Sequence, residues 1–113
     1  MAYTVYGLQA LANGLISQVK VVKVYATSTL IDTFTWDGTN TILVAGTSFG
    51  TLKKNDAVTI VLDVPAGTTI NKIQLENGEA SNNIMATIDI SPKSYTNAGT
   101  YTINNIPITI ANV

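Results

Sequence analysis

A chain of 113 residues fits one domain, and 46% hydrophobic against 12% charged residues excludes disorder, because that much apolar surface offsets the entropy of ordering. A net charge of −1, from six lysines, no arginine and seven acids, excludes an electrostatic grip on nucleic acid; Lys53-Lys54 is the single basic pair and reads as a solvated turn before a strand. Histidine and cysteine are absent, which removes disulfides, thiol chemistry, the usual zinc ligands and the Ser-His and Cys-His nucleophile systems.

The first periodic stretch is helical. Val5, Leu8, Leu11, Ala12, Leu15, Ile16 and Val19 recur at three- and four-residue spacing, Thr4 can cap the start, and a helix over about residues 5–18 follows. Asn13-Gly14 either ends it early or sits inside it at about 1 kcal/mol relative to Ala. So short a helix is marginal alone, and its apolar stripe must pack on the rest of the domain or on a neighbour.

After Lys20 the period changes from 3.6 to 2. Strands are predicted over 21–25, 29–36, 41–47, 57–64, 69–75, 83–91 and 99–111. Asp37-Gly38 and Asn77-Gly78 are turn signals, 53–56 is a polar turn, and Pro65 and Pro92 each close a strand. Pro107 falls inside the last run and removes a ladder donor, so that strand is expected at an edge or bulged. The expected fold is mainly β: a single antiparallel β-sandwich of about seven strands, spanning 1–113, preceded by a short N-terminal helical segment at 1–18.

With those nucleophile systems gone, paired carboxylates are the remaining catalytic route. Asp37 and Asp56 lie in turns, and Asp32, Asp63 and Asp89 at outward strand positions, so each reads as structural and no enzyme is expected. Glu76-Asn77-Gly78-Glu79 could offer oxygens to calcium, but its spacing is not an EF-hand loop and a plain turn is the better reading. No metal and no cofactor are expected. Trp36, beside a turn with Asp37, Asn40 and Thr41, is a candidate for stacking on a sugar ring; its alternative role is to cover one end of the core. No run reaches the ~18 apolar residues of a membrane helix, so no membrane partner is expected. Met1 to Thr4 brings no Lys or Arg, and none comes before Lys20, so no secretory signal peptide is expected.

Several segments, taken together, resemble small bacteriophage virion structural proteins of the tail-fibre-like or head and tail accessory kind. The start is Tyr6-Gly7-Leu8-Gln9-Ala10-Leu11-Ala12-Asn13-Gly14, leading into the extended 20–26 stretch. Later come Asn55-Asp56-Ala57-Val58-Thr59-Ile60, Val64-Pro65-Ala66-Gly67-Thr68 and Ile73-Gln74-Leu75-Glu76-Asn77-Gly78. The ending is Ala98-Gly99-Thr100-Tyr101-Thr102-Ile103 with Ile106-Pro107-Ile108-Thr109-Ile110. The resemblance covers most of the chain and rests on diffuse β patterns. It implies a non-enzymatic virion protein, a capsid decoration or head or tail accessory subunit, made in the host cytoplasm and located in the virion. Its partners would be other virion proteins and copies of itself, and it carries no catalytic residue over. The expected interface residues are Tyr3, Tyr6, Leu8, Leu11 and Leu15 in the helical segment, with Pro107 at the terminal edge. The alternative function is a carbohydrate- or receptor-binding β-sandwich module, with a surface glycan held through Trp36.

Overall fold

The structure is a computed structural model and describes residues 4–36, 38, 40–48, 50–78 and 83–109. Helix α1, Val5–Gln18, starts where the sequence places it. Thr4 is extended, and its Oγ1 accepts the otherwise unpaired Gly7 N–H at 3.1 Å. Asn13-Gly14 stays inside the helix, and the Val19 N–H bonds back to the Leu15 carbonyl at its end. Ala12 is its one buried side chain, packed in the core with Val19, while Leu15 and Ile16 lie against that core.

Nine strands follow among the described residues: β1 Val21–Ala26, β2 Thr29–Thr35, β3 Leu43–Ala45, β4 Thr51–Lys54, β5 Ile60–Val64, β6 Thr68–Glu76, β7 Ile84–Tyr95, β8 Gly99–Ile103 and β9 Ile108–Thr109. They form three antiparallel sheets, ordered β2-β1-β6-β7, β3-β4-β9 and β5-β8. The mainly β class and the N-terminal helix are therefore as expected, whereas the single seven-strand sandwich is not.

Three local readings explain the difference. The stretch containing Lys53-Lys54 is a strand, with Val44 opposite Lys53 and Leu43 opposite Lys54. The final run is two strands, because Asn104 to Pro107 leaves the ladder between β8 and β9. Pro92 does not stop β7. Ile70 pairs with Lys93 and Lys72 with Asp89, so residues 90–92 face Asn71 alone, and a bulge makes no demand on a proline N–H.

One core joins the three sheets. Val22 and Val24 of β1 face Leu75 and Ile73 of β6, and Ile70, Ile60, Leu62, Val64, Leu43, Leu52 and Ile103 complete it. Alternation puts the partners of these residues on the other face of the four-stranded sheet. There Lys23 lies opposite Gln74, Tyr25 opposite Lys72 and Val21 opposite Glu76. The sheets meet at β2 and β5 through a side chain: one Asp32 oxygen accepts from the Thr33 N–H at 2.8 Å and the other from the Asp63 N–H at 2.7 Å. That donor, which a neighbouring strand would otherwise use, is already taken.

Candidate functional site

Helix α1 carries no charged residue, and Ala12 is the one side chain it buries. Leu8, Leu11 and Leu15 follow one another at three- and four-residue spacing, so they line one flank. Leu8 and Leu15 are half-buried and Leu11 is 43% exposed. Val5 is half exposed, and its neighbour Tyr6, on the flank opposite the leucines, is 76% exposed. The helix is held to the β3–β4 turn by Gln9, whose Oε1 accepts the Gly50 N–H at 3.1 Å and whose Nε2 donates to Asn13 Oδ1 at 3.0 Å. Pro107 is exposed in the segment before β9. Tyr3 lies outside the described residues. Among the expected interface residues, the structure thus brings Leu8, Leu11 and Leu15 together and sets Tyr6 and Pro107 apart.

Further apolar side chains are exposed on the sheets. Leu30 pairs with Tyr25 and Ile84 with Glu76, so both lie on the outward face of the four-stranded sheet; they are 46% and 59% exposed. Between them sits a buried polar cluster. Lys23 Nζ is 2.9 Å from Glu76 Oε1, and Gln74 Nε2 donates to Glu76 Oε2 at 2.8 Å. Oε1 has that ion pair but no aligned hydrogen bond. Lys72 Nζ lies 4.9 Å from the Tyr25 ring centroid, a cation–π distance.

Trp36 is half-buried and packed against the core, with its ring stacked on Phe34 at 6.0 Å and 18°. Its indole N–H donates to the Asn40 carbonyl, so the polar edge of the ring is engaged by its own loop. Asp37 lies outside the described residues.

Two of the carboxylates are committed to structure as well, while Asp56, Asp63 and Asp89 are exposed. Both Asp32 oxygens hold backbone N–H groups. Glu76 is spent on Lys23 and Gln74, while Asn77 Oδ1 accepts the Asn83 N–H at 3.1 Å and closes the turn. Glu79 lies outside the described residues. Among the described residues no three acidic side chains cluster closely enough to hold a metal ion.

At the far end of β7, Lys93 Nζ stands 5.7 Å from the Tyr95 ring centroid and 5.9 Å from that of Tyr101. Burial first, and then the neighbouring Tyr95, push the Tyr101 phenol above its ordinary value of 10.0. Sequence reading missed a further site at Lys54. This lysine is buried rather than solvated, and its ammonium donates to the Asn55 carbonyl at 2.8 Å and to the Val58 carbonyl. The period-2 alternation of Leu52 and Lys54 is the signal that could have found it.

No family model, no curated protein and no solved structure matches this chain.

Proposed function

We propose that the chain is a non-enzymatic structural subunit that works by multivalent protein–protein assembly, as a capsid decoration or a head or tail accessory protein of a phage particle. The observation that carries the assembly reading is helix α1. It has fourteen residues without a charge and buries only Ala12, while Val5, Tyr6 and Leu11 stand 43–76% exposed. Isolated exposed leucines are ordinary on a protein surface. An uncharged helix with apolar residues on two flanks is better suited to a partner than to water. The virion setting rests on the resemblance of the sequence segments, and copies of the chain itself are natural partners in symmetric assemblies.

The test is mass spectrometry of gradient-purified particles from the source, beside particles carrying Leu11→Glu. The wild-type chain is expected in many copies per particle. The variant, exposed enough at position 11 to fold, is expected to be depleted from particles and soluble as a free chain. Absence of the wild-type chain from particles would remove the virion reading. Equal incorporation of Leu11→Glu would remove the helix as the docking element.

A further inference from the structure

We infer that the cavity beside Lys54 is a binding site for a single carboxylate group. This goes beyond the assembly reading and does not depend on it. The cavity, about 230 Å³, lies between the turn after β4 and the β5–β8 pair, and is lined by Lys54, Asp56, Thr59, Thr102 and Asn104 together with the apolar Val58, Ile60 and Ile103. Its volume is below that of pockets for drug-sized ligands and matches a small group.

The argument starts from an incompletely compensated charge. Lys54 is 8% exposed, the one lysine among the buried residues of the described chain. An ammonium has three N–H donors, and two are taken by the Asn55 and Val58 carbonyls. Neutral carbonyls supply dipoles but no counter-charge. Among the described residues the ion pair is Lys23 with Glu76, and Lys54 forms none, although Asp56 lines the same cavity. A buried charge is held most stably when it is both paired and hydrogen-bonded. An anion in the adjoining cavity supplies the missing charge and accepts the third N–H. The turn is rigid enough to present this site: the Asn55 N–H bonds to Ile42, its side-chain amide to Thr41, and its Oδ1 takes the Ala57 N–H at 3.0 Å.

The rest of the lining sets the class of anion. Thr59, Thr102 and Asn104 bring hydroxyl and amide donors suited to a second oxygen. Asp56, exposed at the rim, adds a negative charge that repels a dianion more than a monoanion. A monoanionic carboxylate is therefore preferred over dianionic phosphate. It can come from a free small acid or from an acidic side chain of a neighbouring copy.

The experiment is titration of the ¹⁵N-labelled protein with acetate at constant ionic strength, with chloride and inorganic phosphate as comparisons. Acetate is expected to give saturable shifts at the amides of Thr59, Thr102 and Asn104, with chloride giving none. In Lys54→Met the affinity is expected to fall at least about tenfold, the effect of losing a charge-assisted hydrogen bond. Thr102→Val keeps the anchoring lysine and its turn, and is expected to weaken acetate more modestly, so it keeps the test decisive if Lys54→Met does not fold. Sedimentation of the same samples separates the two sources: a mass that falls as acetate is added identifies a side chain of a neighbouring copy, and a constant mass identifies a free acid. Three results would overturn the assignment: no saturable shift, acetate affinity unchanged in both variants, or phosphate binding as tightly as acetate.

Discussion

Thr27 turns the chain between β1 and β2 with φ at +58°, a left-handed conformation that a β-branched residue adopts only under constraint. The constraint is Asn71, forty-four positions away, whose Oδ1 accepts the Thr27 N–H at 2.8 Å. Asn71 is free to do so because it faces the β7 bulge rather than a paired residue. Thr27→Gly keeps the N–H and removes the steric penalty, so it is expected to raise stability by about 0.5–1 kcal/mol despite the looser unfolded chain. Asn71→Ala is expected to lower it by about 1 kcal/mol. Urea midpoints of the two variants check both signs. Tyr101 gives a pH dependence. Its phenol holds its proton more tightly in the folded state, so its contribution is full below pH 10 and is lost as pH rises through the folded value. The wild type is expected to lose stability above about pH 10 more steeply than Tyr101→Phe, read from thermal midpoints across that range.

Elements differ in how much of their cause is local. Helix α1 is legible because its cap, its spacing and its end all lie within residues 4–19: Thr4 caps the start as read, and Val19, read as part of the apolar period, lies just past the end as an extended cap. Strand β4 is illegible by the same means. Two adjacent lysines look like a turn, and what makes Lys54 tolerable inside is a pair of carbonyls presented by the following turn. The continuation of β7 past Pro92 likewise depends on a bulge set by pairing with β6, which local sequence does not encode. The candidate interface divides along the same line: the Leu8, Leu11 and Leu15 flank follows from helical spacing, while the Lys54 cavity is assembled from residues on β4, β5, β8 and the turns beside them. Gly14 supplies the test at this scale. It lies mid-helix, and a Cβ there meets nothing within 4 Å. Gly14→Ala is expected to stabilise the isolated chain by about 1 kcal/mol, seen as a raised thermal midpoint with unchanged spectra. Gly46→Ala is the contrasting case, since its Cβ would collide with Thr51 Oγ1 at the start of β4, and it is expected to destabilise.

At the scale of the whole molecule, the question is what joins a four-stranded sheet to a two-stranded one that shares no backbone ladder with it. Apolar contact does most of it, since Leu62 and Val64 of β5 pack in the same core as Val22 and Val24 of β1. That contact is non-directional and does not fix how β5 lies along β2. Asp32 supplies direction, because its two oxygens tie the Thr33 N–H of its own strand and the Asp63 N–H across the junction. Asp32 is the last paired residue before the β1–β2 register shift: it lies opposite Val24, and the next pair, Tyr25 with Leu30, leaves Ile31 without a partner. Asp32→Ala removes both acceptors and is expected to cost about 2 kcal/mol, reduced from the buried value because the site is partly open to water. The loss is expected to be uneven. Amides of β5 and β8 should exchange with solvent faster, while those of β1 and β6, paired on both sides, should keep most of their protection. Equal acceleration in all four strands would mean that the sheets open as one unit and that the core alone, without the Asp32 tie, sets their docking.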